Sequence, residues 1–318
     1  MAAGKGDIFD RKAIAAVLPR IDMVAALEPA FAALSAGGAQ LAAVGELLFS
    51  DPPGDVHVKA GHIAGDAHFV VKVASGFYDN GRLGLPSSSG LSLLFDARTG
   101  GLSAILLDDG MLTDERTGGA GAVAAKYLAP ADPLCIGILG AGIQAEQQLR
   151  HLLPVTGCRS ALIWARRADA AEALAERVRQ MGYSAVVAES PAALAAQCRL
   201  IVTTTPSAVP LLDDCDIMPG THITAVGADG DHKAELSDAL IERADLRVAD
   251  SIAQCRERGE FRRLSEAATL VELGDVIAGR AHGRTAPDQI TIADLTGVAV
   301  QDAAIAKAVV SALQHQQD

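Results

Sequence analysis

The chain has 318 residues, half of them hydrophobic, and a formal net charge of −12 at pH 7. This length favours two domains over one. The acidic balance argues against nucleic acid and anionic membranes as partners. The five cysteines are scattered, and the histidines lack metal-like spacing. The N-terminal segment lacks a signal-peptide core, and no run reaches the roughly 18 apolar residues of a membrane span. We expect a cytoplasmic protein with reduced thiols and no bound metal.

The first third of the chain predicts one helix and then a group of short strands. Asp22 can cap a helix over 22–36, although Pro29 inside this pattern predicts a kink or a late helix start. A second helix is predicted over 113–128, with Thr113 as its cap. Turn residues separate four predicted strands, at 56–59, 68–74, 91–96 and 102–107.

From residue 134 the pattern changes to alternating strands and helices, which is typical of a doubly wound sheet. A helix is predicted at 169–181, and a last helix over 299–316 is expected to pack back on the N-terminal part. The sequence therefore predicts an α/β protein with a Rossmann domain at 129–298 and a discontinuous α+β domain formed by 1–128 and 299–318. Strands are predicted at 134–139, 160–165, 184–188, 200–204, 222–227, 246–249 and 290–293.

The segment 134–145 combines an apolar run with Gly-x-Gly-x-x-Ala, formed by Gly140, Gly142 and Ala145, and an amphipathic segment follows at once. This order of strand, tight turn and helix places a dinucleotide pyrophosphate on a helix N-terminus. Ile143 and Gln144, at the start of that helix, are therefore also candidate cofactor-binding residues. The alternative is a tight turn in a parallel sheet that binds no ligand.

The end of the next strand bears on the choice of nucleotide. NAD sites usually carry an acidic residue about 20 residues after the glycines, which hydrogen-bonds the ribose 2′-hydroxyl. Here Arg166 and Arg167 occupy this region, and an arginine pairs well with a phosphate. The pattern favours NADP(H). NAD(H) remains open if the two arginines are only exposed residues at a helix start.

Three charged residues are candidates for substrate chemistry. Lys72 lies in the apolar run 69–74, where burying a lysine is costly unless it meets an anion; an edge or surface strand position is the alternative. Arg116 lies near a helix start, where a bound anion would explain a cation. Asp229 follows the strand at 223–227 and either holds an amine, moves a proton or caps a helix.

Together these segments resemble the ornithine cyclodeaminase/mu-crystallin family. The resemblance runs in family order over residues 20 to 312. The matching pieces are 71–73, 84–87, 112–117, 140–145, 203–206, 225–229 with Lys233 and 235–236, and 296–302.

The resemblance implies a Rossmann domain and a discontinuous domain for substrate binding and dimerisation, and hence a homodimer. It implies hydride transfer between the nicotinamide and a small amino or imino acid. Lys72 and Arg116 would bind the substrate carboxylate, with Lys72 and Asp229 as catalytic residues, because Asp229 would face the substrate nitrogen. The family positions expected to contact the cofactor are Ser87, Thr117, Thr204, Thr205, Val226, Gly297 and Val298.

Two departures from the family pattern bear on the substrate. The family often has a further arginine near 46–48, but this chain has Glu46, Leu47 and Leu48 there. Lys59 falls where the ornithine enzymes use a glutamate. A cation there cannot receive an ω-ammonium group, so we hypothesise that Lys59 is a second ligand of the carboxylate.

Three functions follow from these residues. Arg166 and Lys59 favour an NADPH-dependent reductase of ketimines such as pyrroline-2-carboxylate. A cyclodeaminase that recycles NAD and converts ornithine to proline and ammonia is the first alternative. A cofactor-loaded binding protein without turnover is the second, although the presence of Lys72, Arg116 and Asp229 argues against it.

Overall fold

The computed structural model describes residues 6–77 and 79–315. It divides into two compact units, Met1–Arg116 with Val298–Asp318, and Thr117–Gly297. The first break falls inside a helix over Met111–Leu128, earlier than the predicted limit at 128/129. The second falls at 297/298, one residue before the predicted limit at 298/299.

The first unit contains a mostly antiparallel sheet with flanking helices, and the break between the units falls within the last of these helices. The elements in chain order are β1 (Asp7–Asp10), α1 (Arg11–Val17), α2 (Met23–Ser35), β2 (Ala39–Leu41), β3 (Gly45–Ser50), β4 (Pro53–Ile63), β5 (His68–Phe77), β6 (Ser88–Asp96), β7 (Leu102–Leu107) and α3 (Met111–Leu128), with 3-10 turns at Leu18–Arg20 and Asn80–Leu83.

The second unit alternates strands and helices, and the chain then returns to the first unit in one helix. The elements are β8 (Ile136–Leu139), α4 (Ile143–Leu152), β9 (Ser160–Trp164), α5 (Ala168–Gln180), β10 (Ser184–Val187), α6 (Pro191–Gln197), β11 (Leu200–Thr203), β12 (His222–Ala225), α7 (Asp238–Arg243), β13 (Leu246–Ala249), α8 (Ile252–Arg258), β14 (Val271–Glu272), α9 (Leu273–Ile277), β15 (Thr291–Asp294) and the returning α10 (Ala299–Gln314), with 3-10 turns at Asp214–Asp216 and Glu260–Arg263.

The sheet of the first unit has the order β1-β7-β6-β5-β4-β2, with β3 also paired to β4. All its pairs are antiparallel except β1 with β7. Helix α10 packs on α2, β4 and β5, so it lies in the same unit as the N-terminal part of the chain. Its first turns are buried almost all round, so this helix completes the core of the unit.

The sheet of the second unit is parallel throughout, with the order β10-β9-β8-β11-β12-β15-β13-β14. The first strand, β8, lies inside the sheet, and the strand order reverses there between β9 and β11. Such a reversal is where ligands of doubly wound sheets bind, at the carboxyl ends of the strands. The predicted Rossmann architecture with a second α+β unit is therefore confirmed.

Several local expectations need correction. Helix α2 begins directly after Asp22, whose carboxylate accepts from the Ala25 amide, and it continues through Pro29 without a late start. Helix α3 begins at Met111, so Thr113 is not its cap. The Asp108 carboxylate accepts from the Leu112 amide instead.

Four short strands were not predicted, because few apolar residues alternate within them. They are β1, β2, β3 and β14. All five cysteines are free thiols, as expected. Among the residues that the structure describes, none of the helices is both long and apolar enough to span a bilayer.

Candidate functional site

The glycine loop joins β8 to α4, and its first glycine is fixed by its surroundings. Gly140 has a φ of +124°, and its amide donates to the Trp164 carbonyl at 2.8 Å. A Cβ at this position would lie 2.3 Å from the Thr204 hydroxyl oxygen. Both the backbone conformation and the close approach of Thr204, which follows the neighbouring strand β11, therefore require glycine here.

The second glycine faces open space. Gly142 is the N-cap of α4, and no side chain caps this end of the helix. A Cβ on Gly142 would meet no atom within 4 Å. Ile143 and Gln144 form the first turn, exposed and half-buried respectively. An accessible helix N-terminus with unshielded amides has the properties that bind a pyrophosphate.

Arg166 and Arg167 follow β9, the neighbour of β8 in the sheet. Both are exposed, and Arg167 Nε lies 3.8 Å from a carboxylate oxygen of Asp169. Because β8 and β9 are parallel, the two arginines and the glycine loop follow the same ends of adjacent strands. The geometry leaves both guanidinium groups accessible to a phosphate.

A buried carboxylate organises the loop after β11. Glu235 accepts from the Thr203 hydroxyl at 2.6 Å, from the Thr205 amide at 2.6 Å and hydroxyl at 2.7 Å, and from the Gly227 amide at 2.9 Å. Thr204 donates from its hydroxyl to the Leu139 carbonyl at 3.1 Å. The predicted cofactor positions Thr204 and Thr205 are therefore held by neighbours within this unit.

Glu235 is itself supported from behind. Its amide donates to Glu260 at 2.7 Å, and Glu260 accepts from Arg263 at 2.8 Å. Burial raises the pKa of Glu235 to about 7, although the threonine donors oppose that shift. A Cβ on Gly227 would lie 2.2 Å from the Thr205 carbonyl oxygen, so this network packs two loop backbones against each other.

Asp229 and Val226 lie beyond the carboxyl end of β12. Val226 is buried, whereas Asp229 is half-buried and its Oδ1 accepts from Lys233 Nζ at 2.6 Å. Its carboxylate is therefore a member of an ion pair. This arrangement keeps a charged carboxylate close to the loop that follows the strand.

Gly297 ends the second unit, and Val298, the N-cap of α10, starts the returning part of the first. Gly297 has a φ of +78°, and its amide donates to Asp250 at 2.7 Å. Asp250 also accepts from the Thr296 hydroxyl at 3.0 Å. Val298 is fully buried. A buried aspartate thus fixes the turn in which these two predicted cofactor residues lie.

The first unit gathers the predicted substrate-binding cations. Lys72 lies on β5, between β4 and β6, so the alternative of an edge or surface strand is wrong. Lys59 on β4 is directly opposite Lys72 in the register, and Arg116 projects from α3. Lys59, Lys72 and Arg116 are only 7, 3 and 5% exposed. Three buried cations in one cluster require counter-charges.

The principal counter-charge comes from α10. Asp302 Oδ1 lies 3.2 Å from Lys72 Nζ and 3.1 Å from Arg116 Nε. Arg116 Nη1 donates to Gln301 Oε1 at 2.5 Å. Burial alone would raise the pKa of Asp302, but Lys72, Arg116 and Lys59 together lower it below its ordinary value. Asp302 is therefore ionised in the cluster.

Lys72 is close to the balance between its charged and neutral forms. Burial lowers the pKa of Lys72 to about 7; Arg116 and Lys59 add to this effect and Asp302 opposes it. Asp108, in the turn after β7, also belongs to this environment. Burial raises the pKa of Asp108 to about 6, while the Leu112 amide and Lys72 oppose the shift.

Two other predicted cofactor residues lie in loop and helix positions. Ser87 precedes β6 and is exposed, and its carbonyl accepts from the Phe77 amide at 2.8 Å. Thr117 is half-buried on α3, and its carbonyl accepts from Gln148 at 3.0 Å. Both contacts are made by backbone carbonyl groups, so they hold the backbone in place at these two residues.

Sequence reasoning gave no role to Gln301, Asp302, Glu235 or Asp108. A signal was present for the first pair, because two polar residues interrupt the run of small apolar residues that begins α10. Nothing in the local pattern indicates that Asp108 or Glu235 is buried. Their importance depends on residues that lie far away in the sequence.

The parallel sheet, the glycine loop and the open end of α4 define a dinucleotide-binding α/β protein. The chain belongs to the ornithine cyclodeaminase/mu-crystallin family, whose model matches residues 8–317. An uncharacterized cyclodeaminase of Sinorhizobium fredii is 44% identical over 294 residues, which cover 90% of this chain and 89% of that protein.

Three solved structures are similar over nearly the whole chain. An archaeal alanine dehydrogenase dimer with bound NAD has a TM-score of 0.89 and 31% identity, covering 98% of this chain and 97% of that one. A Thermococcus litoralis Δ1-pyrroline-2-carboxylate reductase with NADH and L-proline has a TM-score of 0.91 and 26% identity, covering 98% of each. A lysine cyclodeaminase has a TM-score of 0.89 and 31% identity, covering 99% of this chain and 94% of that one.

Proposed function

We propose that the chain is an NADPH-dependent reductase of small cyclic 2-imino acids such as pyrroline-2-carboxylate. The observation that carries the proposal is the buried cation cluster of Lys59, Lys72 and Arg116 around Asp302. The positive charge of these three cations exceeds the negative charge of Asp302, and the excess would attract a substrate carboxylate. Fixing that carboxylate orients the adjacent C=N carbon and lowers the entropic part of the barrier.

The second unit fits a dinucleotide. The space beside Gly142 is open, since a Cβ there would meet no atom within 4 Å. A pyrophosphate would occupy this space, and the amides at the start of α4 would hold it. The loops at Thr204, Thr205, Val226, Gly297 and Val298 would bind the nicotinamide half. Ser87 and Thr117 would complete the cofactor contacts. When bound, the nicotinamide supplies or accepts a hydride.

Asp229 and Lys72 would handle the proton and the charge on nitrogen. A protonated imine is the better hydride acceptor, and the Asp229 carboxylate, half-buried and paired with Lys233, would stabilise the iminium. Lys72, with its pKa lowered to about 7 by burial, is able to give up a proton near neutral pH. Lys72 would thus supply the proton that converts the imine to the iminium before hydride transfer, which leaves the product as the neutral amine.

Lys59 favours the reductase over the cyclodeaminase. A cyclodeaminase must accommodate the ω-ammonium group of its substrate, which requires an acidic partner. Lys59 places a buried cation opposite Lys72 instead. Glu46, the acidic residue of β3, hydrogen-bonds His57 at 2.7 Å. We propose that Lys59 binds the substrate carboxylate together with Lys72 and Arg116.

The cyclodeaminase reaction is the second candidate. It is favoured by the similarity to the Sinorhizobium protein and to the lysine cyclodeaminase. In that reaction the cofactor is oxidised and reduced again within one cycle, so no external NADPH is consumed. A protein that binds cofactor without turnover is the remaining candidate.

Three assays on the pure protein separate these candidates. NADPH oxidation with pyrroline-2-carboxylate, and none with ornithine, supports the reductase. Ammonia and proline formed from ornithine without net cofactor change indicate the cyclodeaminase, and tight cofactor binding without turnover indicates the binding protein. Lys72→Met should abolish turnover, whereas Lys126→Met, on the exposed side of α3, is the matched control.

The preference for NADP(H) is proposed from Arg166 and Arg167, which are exposed beside the glycine loop and would pair with a 2′-phosphate. Arg166→Asp should raise the KM for NADPH far more than the KM for NADH. Arg98→Asp, in the exposed turn after β6, makes the same charge change in the first unit and should alter neither. Equal effects of Arg166→Asp on both cofactors would contradict the preference.

We also propose that the chain forms a homodimer. The support is the dimeric archaeal relative and strand β3, on which Leu47, Leu48 and Phe49 are 60, 68 and 42% exposed. Apolar side chains at this level of exposure are typical of an interface. Light scattering should give twice the chain mass, and Leu48→Glu should reduce it to that of one chain.

A further inference from the structure

Asp302 joins two elements through a single oxygen atom. Its Oδ1 is within 3.2 Å of Lys72 Nζ on β5 and within 3.1 Å of Arg116 Nε on α3. The three side chains are 2, 4 and 6% exposed, respectively. Its neighbour Gln301 is fully buried and accepts from Arg116 Nη1 at 2.5 Å. Successive residues in the first turn of α10 therefore fix both the position and the rotation of the guanidinium group.

We propose that Asp302 is a positioning residue, supported by Gln301, that holds Lys72 and Arg116 as one anion-binding unit and favours the charged form of Lys72. The inference rests on the proposed function, in which that unit binds the substrate carboxylate. Asp302 acts through the two cations and does not itself contact the substrate. The C-terminal helix would thus determine substrate affinity, although the cationic ligands lie far earlier in the sequence.

The charge balance around Lys72 explains why Asp302 is needed. Four charged groups influence Lys72 or are influenced by it: Asp302 from α10, Arg116 from α3, Lys59 from β4 and Asp108 from the turn after β7. Two are cations that favour the neutral amine. Asp108 is a weaker counter-charge, because burial raises its pKa to about 6 and its Oδ2 already accepts from Leu112.

Loss of the Asp302 charge would therefore leave Lys72 buried beside two cations. Burial and those cations would then favour the neutral amine at neutral pH. A neutral Lys72 no longer attracts a carboxylate, and Arg116 would lose the carboxylate oxygen that lies 3.1 Å from its Nε. The predicted defect is thus dependent on pH, because acidification restores the Lys72 charge.

The ionisation of Lys72 can be followed directly by NMR. The chain has only seven lysines, so the 13Cε signals of a 13C-lysine sample are few, and Lys72→Arg assigns the one of interest. In the wild type this signal should titrate near pH 7, in line with the pKa of about 7 that burial gives Lys72. In Asp302→Asn the midpoint should lie more than about one pH unit lower. An unchanged midpoint would overturn the proposal.

Binding of pyrrole-2-carboxylate, a stable planar monocarboxylate, supplies the second readout. Calorimetry with the NADPH-loaded protein should show at least about a tenfold loss of affinity for Asp302→Asn at pH 7.5, and the loss should shrink as the pH is lowered. A purely structural defect would weaken binding equally at all pH values, and that result would also overturn the proposal.

The matched control removes an ion pair to the same helix. Asp66 pairs with Lys307 of α10 at 2.7 Å, at a partly exposed position. Asp66→Asn removes an aspartate–lysine pair without touching the cluster, so the Lys72 midpoint and the affinity should stay at wild-type values. A change in either with this variant would indicate a general effect of α10 and would contradict the specific role of Asp302.

Asp302→Glu keeps the test decisive if Asp302→Asn does not fold. The longer side chain retains the charge but displaces the oxygen, so the Lys72 midpoint should stay near its wild-type value while the affinity falls several-fold. Unchanged affinity would overturn the positioning role. If the wild type neither binds pyrrole-2-carboxylate nor reduces the imine, the proposed function fails, and the NMR midpoints still decide the role of Asp302.

Discussion

His222 makes the stability of the second unit dependent on pH. It is fully buried on β12, where Nδ1 lies 2.8 Å from the Thr291 hydroxyl oxygen and Nε2 lies 3.0 Å from that of Thr224. The Thr291 hydroxyl donates to the Leu128 carbonyl, so it accepts the proton of Nδ1. Nε2 is then the acceptor, and the folded state holds the neutral imidazole.

The magnitude follows from proton linkage. Burial, with a contribution from Arg284, lowers the pKa of His222 from 6.5 to about 3. Between these values the unfolded chain binds a proton that the folded chain does not, so stability falls as the pH falls through this window. At about 1.36 kcal/mol per pH unit, acidification from pH 7.5 to pH 5 costs about 2 kcal/mol through this histidine.

Urea unfolding at the two pH values measures this cost. Trp164 is the only tryptophan and lies on β9 of the same sheet, so its fluorescence reports on the unit that contains His222. His222→Gln does not titrate. We expect this variant to be less stable than the wild type at pH 7.5, because it disturbs the two threonine contacts. The gap between the two unfolding free energies should then narrow by about 2 kcal/mol at pH 5.

His232→Gln is the matched control, because His232 is an exposed histidine in the same unit. The gap between this variant and the wild type should be the same at both pH values. A narrowing below about 0.5 kcal/mol for His222→Gln would refute the reasoning, since it would mean that His222 takes up a proton in the folded state.

Four further substitutions test the two units. Gly142→Ala should leave the unfolding free energy within about 0.5 kcal/mol of the wild type but raise the cofactor Kd at least about tenfold. Gly137→Ala should instead lose about 1–3 kcal/mol of stability, because its Cβ would lie 2.3 Å from a leucine side chain. Glu235→Gln should lose about 1–3 kcal/mol in urea unfolding, because an NH2 group replaces one carboxylate oxygen and either the Gly227 or the Thr205 amide loses its acceptor; unchanged stability would contradict the role of this network. Lys59→Ala should raise the KM for the imine, and an unchanged KM would disprove its role as a carboxylate ligand.

Much of the second unit was predictable because its signals are local. The seven strands predicted from residue 134 onward correspond to observed strands within one or two residues at most ends, since each is a short apolar run bounded by turn residues. The glycine loop was predictable for the same reason. Its conformation depends on residues that are adjacent in sequence, and glycine is the residue that such a turn requires.

The sequence was less informative about the first unit, where edge strands and helix starts depend on neighbours that are remote in the chain. Strand β3 is exposed on both faces, so it carries no alternating pattern to predict it. Helix α3 begins at Met111 because the Asp108 carboxylate caps it, whereas local spacing favoured Thr113.

The sequence by itself determined the fold class, the phosphate-binding loop and the identities of Lys72 and Arg116 as candidate ligands. Only the tertiary structure decided that Lys72 lies on an interior strand and that Asp302 is its counter-charge. Arg116 and Gln301 are 185 residues apart, and no local propensity links them. Burial of charge is a property of the assembled core, because the cost of removing a cation from water depends on which groups the whole chain brings around it.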